Sequence, residues 1–209
     1  MLSAREVRIP GAEVVGDLVT PQGSQGLVLF AHGSGSGRFS PRNRRVAAFL
    51  NDLGLSTLLL DLLRVGEERD RAKVFDIGLL SERLVAATQW VRKQPELADL
   101  RVGYFGASTG AGAAIVAAAE LGDEVAAIVS RGGRPDLAGA LLGEVLAPTL
   151  LIVGGRDEVV LELNREAQRV LRGPSELAVV RGAAHLFEEP GALEEVSRLA
   201  GEWFVRHLV

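Results

Sequence analysis

Arg101-Val102-Gly103-Tyr104-Phe105-Gly106-Ala107-Ser108-Thr109-Gly110-Ala111-Gly112-Ala113-Ala114-Ile115-Val116-Ala117-Ala118-Ala119 joins two kinds of backbone within one short stretch. Residues 101–105 form a short apolar run of the length of a buried strand. Residues 111–119 are small and apolar, as in a buried helix. Between them lies Gly106-Ala107-Ser108-Thr109-Gly110, a G-x-S-x-G string on a strand-to-helix turn. Such a turn must be sharp to lift the serine hydroxyl clear of the sheet, and the flanking glycines remove Cβ atoms that would clash. The following helix directs its first amides toward the same point. In a chain with 25 glycines the string can also arise by chance, and a turn serine capping a helix is the alternative reading.

Moving outward, strand-like and helix-like segments alternate. Strands are predicted at Val14–Val19, Leu27–Ala31, Thr57–Leu60, 101–105, Val125–Val129, Thr149–Val153 and Leu177–Val180. Helices are predicted at Val46–Asp52, Ile77–Arg92, after Ser108, at Leu161–Leu171 and at Leu193–Leu208, several of them stopped by Gly or Pro. Apolar strands separated by helices give an α/β fold, a mostly parallel central sheet covered on both faces. No repeat or Pro/Ser-rich linker interrupts residues 1–209, which are expected to form one domain. Functional residues in such a sheet belong at the carboxyl ends of strands, where Ser108 falls.

Composition narrows the chemistry. The chain is 47% hydrophobic and 24% charged, with a net charge of −4, so neither nucleic acid nor an anionic membrane is an expected partner. There is no cysteine, which removes disulfides, thiolate catalysis and Cys-based zinc sites. No cofactor or metal is expected. The first residues carry no apolar signal region, and no apolar run is long enough for a membrane span, so a cytoplasmic protein is expected. The Arg42, Arg44 and Arg45 cluster reads as a solvated helix face, and the charged segment 64–73 as a solvated loop that could instead cover a site.

A serine hydroxyl needs a general base, and the base an orienting acid. Of three histidines, His207 lies near the end of the last helix and reads as a surface residue. His32 opens a glycine-rich loop, His32-Gly33-Ser34-Gly35-Ser36-Gly37, and His185 lies in the loop after the last strand. Asp157 follows the strand at 149–153, in Gly154-Gly155-Arg156-Asp157. Ser108, Asp157 and His185 thus come in the order Ser…Asp…His, each after a separate strand. The bland alternative makes Asp157 a helix cap and His185 an incidental loop residue; Glu158 is a substitute acid, and Glu188 and Glu189 read as solvated. An oxyanion hole requires two donors. The amide of Thr109 is one candidate, and the amide of Ser34, with Gly33 next, is the other. His32 would then brace the loop.

On His32-Gly33-Ser34-Gly35-Ser36-Gly37-Arg38, Gly106-Ala107-Ser108-Thr109-Gly110, Gly154-Gly155-Arg156-Asp157 and His185-Leu186-Phe187-Glu188, the chain resembles the dienelactone hydrolase family of the α/β-hydrolase superfamily, from Val14 to Leu208. The resemblance implies an α/β-hydrolase fold with nucleophile Ser108, acid Asp157 and base His185. The family's namesakes use a cysteine nucleophile, which this chain lacks, and arginines that hold a substrate carboxylate. Arg38, Arg131 and Arg134 lie at or near strand ends, but the sequence matches none of them to that role. Many members of the superfamily insert a lid after the sixth strand. Here Arg131 to Pro148 leaves room for a short helix at Leu137–Leu142 and no lid domain.

The expected function is a serine hydrolase that cleaves a small-molecule carboxylic ester, lactone or thioester through an acyl-enzyme. Acyl transfer or perhydrolysis by the same triad, and a non-catalytic binding protein on the same fold, are the alternatives. A nucleotide-binding reading of the glycine loops fails, because neither has the Walker or dinucleotide-binding pattern. The oligomeric state is not legible.

Overall fold

The computed structural model describes residues 3–209. Its strands are β1 (Arg5–Ile9), β2 (Val14–Val19), β3 (Gly26–Ala31), β4 (Ser56–Leu60), β5 (Arg101–Ala107), β6 (Val125–Arg131), β7 (Thr149–Gly154) and β8 (Ser175–Val180). Its α-helices are α1 (Pro41–Asp52), α2 (Arg71–Val74), α3 (Ile77–Val91), α4 (Thr109–Leu121), α5 (Glu158–Val170) and α6 (Ala192–Leu208). All eight strands join one sheet in the order β1-β2-β4-β3-β5-β6-β7-β8. β1 and β2 pair antiparallel, β2 meets β4 antiparallel, and every other pairing is parallel. This is the mostly parallel α/β sheet that the strand and helix pattern predicted, in the α/β-hydrolase arrangement that the resemblance implied.

Strand periodicity divides the core in two. Leu27, Leu29 and Ala31 of β3, with Val102 and Tyr104 of β5, pack on the face covered by α3 and α4. Val28 and Phe30, with Phe105, face the opposite way, against Val46 and Leu50 of α1 and Val196, Trp203 and Phe204 of α6. Because both faces are buried, these strands read as unbroken apolar runs. β3 lies between β4 and β5, so the chain leaves it in one direction and later returns on its other side. That reversal opens a crevice at the carboxyl ends of β3 and β5, where a doubly wound sheet binds ligands.

Four elements depart from expectation, among them α2, which begins in the segment 64–73 read as a loop. β1 was not predicted; it alternates charged and apolar residues at a sheet edge. α1 begins at Pro41, ahead of the predicted Val46, because Ser40 caps it by accepting from the Asn43 amide and Pro41 suits the first turn. The connection between β6 and β7 is a 3-10 segment, Pro135–Glu144, broken at Gly139 (φ 54°), where a short helix was expected. It is too short to form a lid domain. No helix among the described residues is long and apolar enough to cross a membrane.

Candidate active site

Ser108 sits between β5 and α4 at φ 50°, ψ −121°, a conformation rare outside glycine and costly to hold. Packing enforces it. A Cβ at Gly106 would lie 2.4 Å from Ala111 Cα, and one at Gly110 would lie 2.2 Å from the Ala31 carbonyl oxygen and 2.5 Å from that of His32. Only glycine lets the elbow close against the end of β3. The Ser108 amide donates to the Arg131 carbonyl at 3.3 Å, and the Ser108 carbonyl accepts from the Arg134 amide at 3.1 Å. Ser108 stands at the cap position of α4 but makes no side-chain cap bond, so the capping alternative does not describe it.

Asp157 likewise occupies the cap position of α5 without capping it. Its Oδ2 instead lies 2.7 Å from His185 Nδ1. With the carboxylate as acceptor, the imidazole proton belongs on Nδ1, and Nε2 is left as an acceptor. The loops carrying the two residues are joined: the Arg156 amide donates to the Ala183 carbonyl at 2.9 Å. Glu189, expected to be solvated, has a partner, since Oε1 accepts from the Ala184 amide at 3.0 Å. Ser108 and His185 line one cavity of about 230 Å³, together with Gly33, Ser34, Arg42 and Arg131. The Ser108 hydroxyl makes no hydrogen bond among the described residues. Such contacts are often long before substrate binds.

The glycine loop after β3 lies against the elbow; a Cβ on Gly33 would come within 3.1 Å of Ser108 Cβ. His32 braces this loop. Its Nε2 accepts from the Leu62 amide at 2.9 Å, and Nδ1 then donates to the Gly33 carbonyl at 2.9 Å. Burial pushes the His32 pKa below the ordinary histidine value, favouring the neutral ring these two bonds require. The Ser34 amide donates to Thr109 Oγ1 at 3.0 Å. The segment 64–73 does not line the cavity. It is held through Glu67, whose carboxyl the adjoining Arg83 guanidinium keeps down at about 2.

Partner carboxylates separate the three arginines that sequence alone could not rank. Arg38 is enclosed by Asp17, Asp61 and Glu6. Arg134 makes a two-pronged bond to Asp136, at 2.8 and 2.7 Å. Arg131 is only 7% exposed, forms no ion pair among the described residues, and has an unbonded Nε. Burial, and secondarily the charge of Arg42, lower its pKa to about 10. Arg42 was expected on a solvated face; it lines the cavity and pairs with Glu188 at 3.1 Å. His207 is distant from this group, packed on Trp203 in α6.

The model of the dienelactone hydrolase family matches residues 44–202. The chain belongs to the dienelactone hydrolase family. A dienelactone hydrolase from Anabaena variabilis, known from a crystal structure, is 54% identical and superposes with a TM-score of 0.95 over 100% of this chain and 99% of that one. Est1E from Butyrivibrio proteoclasticus is 16% identical, with a TM-score of 0.82 over 98% of each chain, a likeness of fold. A Mycobacterium tuberculosis protein named "Putative phosphoribosyl transferase" is 63% identical over 195 residues, which make up 93% of this chain and 44% of that protein. The chain thus spans less than half the length of that relative.

Proposed function

We propose that this member of the dienelactone hydrolase family is a serine hydrolase of carboxylic esters, lactones or thioesters. Ser108 Oγ attacks the carbonyl carbon as its proton passes to His185 Nε2. Asp157 holds the imidazole and balances its charge. Collapse of the tetrahedral intermediate expels the alcohol or thiol, which takes the proton from His185. Water then attacks the acyl-Ser108 ester, giving a proton to His185; release of the acid returns it to Ser108 Oγ. The observation that carries this reading is the 2.7 Å Asp157–His185 bond, made by a cap residue that does not cap, beside a strained Ser108 in the same cavity.

Arg131 supports a narrower statement of substrate. The family resemblance implies an arginine for a substrate carboxylate, and Arg131 is the buried, unpaired arginine of the cavity. We assign the phosphoribosyl chemistry in the relatives' name to the part of those proteins beyond the matched 195 residues, because the matched part corresponds to this chain, in which Ser108, Asp157 and His185 form the proposed acyl-transfer constellation.

Ser108→Ala tests the assignment. The variant is expected to lose at least ~10³-fold in kcat on an activated ester while keeping the wild-type melting temperature. Wild type should be labelled at Ser108 by a fluorophosphonate. Undiminished turnover in Ser108→Ala would overturn the mechanism.

A further inference from the structure

Asn43 is the third residue of α1 and lines the cavity that holds Ser108. It is only 2% exposed. A buried amide side chain ordinarily finds partners for its oxygen and its NH2 group. This one has none: Oδ1 is buried without a hydrogen bond, and only the Asn43 backbone amide is bonded, to Ser40 Oγ, among the described residues.

The structural role open to such a residue is already filled. From this position of a helix a side chain can bond back to the amide of the cap residue and complete a capping box. Here the Ser40 amide donates instead to the Gly37 carbonyl at 3.0 Å. The Ser40 hydroxyl caps α1 by itself, and the Asn43 side chain makes no polar contact that holds the helix. Its unpaired polar group belongs to the cavity.

The other lining residues select what that group binds. They include Arg42 and Arg131 and no carboxylate. An ammonium group is repelled there by both guanidinium groups. A carboxylate suits Arg131 but brings no proton to Asn43 Oδ1. A hydroxyl is the smallest neutral group that brings one. A substrate filling this cavity of about 230 Å³ displaces solvent from Asn43 and must replace the bonds it takes away. A methyl group in the same place leaves Oδ1 buried and unpaired.

We propose that Asn43 is a specificity-determining residue that accepts a hydrogen bond from a substrate hydroxyl, so that the preferred esters are hydroxylated ones. The bond forms on binding and persists through the reaction, so it acts mainly on KM. The inference rests on the serine-hydrolase reading above.

The test uses two pairs of esters, each exchanging a hydroxyl for a methyl group. On the acyl side, p-nitrophenyl 3-hydroxybutyrate is set against p-nitrophenyl 3-methylbutyrate. On the alcohol side, 2-hydroxyethyl butyrate is set against propyl butyrate. Wild type is expected to favour the hydroxylated member of at least one pair by about 10-fold or more in kcat/KM. Asn43→Leu, with melting curves to verify folding, should cut that preference to within about twofold and leave kcat on the methyl esters within about threefold of wild type. No preference in either pair would overturn the proposal. So would a preference that survives in Asn43→Leu, or equal losses on both members of each pair, which would make Asn43 a structural residue. If Asn43→Leu does not fold, Asn43→Ala takes its place with the same limits. Fluorophosphonate labelling separates the two readings. Wild type that shows the preference but does not label at Ser108 refutes the serine mechanism and leaves the Asn43 site standing. Wild type that labels at Ser108 without the preference refutes the Asn43 site alone, and turnover of none of the four esters refutes both.

Discussion

Arg131→Met is expected to make the protein more stable and a poorer enzyme for anionic esters. Arg131 is buried without a carboxylate, and burial lowers its pKa from the ordinary arginine value to about 10. That difference corresponds to roughly 3 kcal/mol against the charged form in the folded state. For a base whose folded pKa is depressed, the unfolded chain binds the proton more tightly. The penalty is therefore complete at every pH below about 10, and fades only as pH rises from there towards the ordinary arginine value. At neutral pH titration does not reveal it, whereas substitution does. Methionine keeps most of the aliphatic length and removes the charge, but forfeits the guanidinium's position over the Phe187 ring at 5.8 Å. That contact offsets about 0.5–2 kcal/mol, leaving a net gain of about 1–3 kcal/mol. In a domain of this size the melting temperature should rise by roughly 2–10 °C, read by calorimetry. The same variant should lose about 10- to 100-fold in kcat/KM on p-nitrophenyl hemisuccinate, the worth of a charged hydrogen bond, and less than about threefold on p-nitrophenyl acetate. A lower melting temperature would mean that the charge is compensated within the fold. Equal losses on both esters would mean that Arg131 does not read substrate charge. Either result refutes the reasoning.

Two further substitutions probe the scaffold behind the site. His32→Ala leaves the buried Leu62 amide without its acceptor and should cost about 1–3 kcal/mol at pH 7. Because the folded His32 pKa is depressed, wild-type stability should decline as pH drops below 6.5 and the unfolded chain takes up the proton; urea melts at pH 7 and pH 5 should show a smaller decline in the variant, and parallel declines would refute the role. Gly110→Ala drives a Cβ to 2.2 Å from the Ala31 carbonyl and should destabilise by about 3 kcal/mol or more, with loss of turnover; a cost under about 1 kcal/mol would show that the elbow can relax.

What was legible in the sequence was whatever depends on neighbours along the chain. β3, β5 and β7 are buried on both faces, so each announces itself as an apolar run of strand length. The glycines around Ser108 mark a turn that only glycine permits, and Asp157 and His185 each follow a strand end. β1 was missed because an edge strand need not be apolar: Arg5, Glu6 and Arg8 are exposed while Val7 and Ile9 face the core. The start of α1 was hidden by its arginines, which suit a solvated helix face and a substrate cavity equally well by type. The arginines at the strand ends make the same point more sharply. Arg38 and Arg131 are the same residue in comparable local settings, yet Arg38 is neutralised by Asp17, 21 residues away, and by Asp61, 23 residues away. No sequence window supplies that information, because the charge balance forms only when β2 and β4 pair beside β3. The same holds for Ser34 and Thr109, which meet across 75 residues. Spacing can nominate a backbone amide as a donor; only folding decides whether that amide is still unspent. In this protein Arg131, whose charge no carboxylate balances after folding, is the arginine that the substrate proposal rests on.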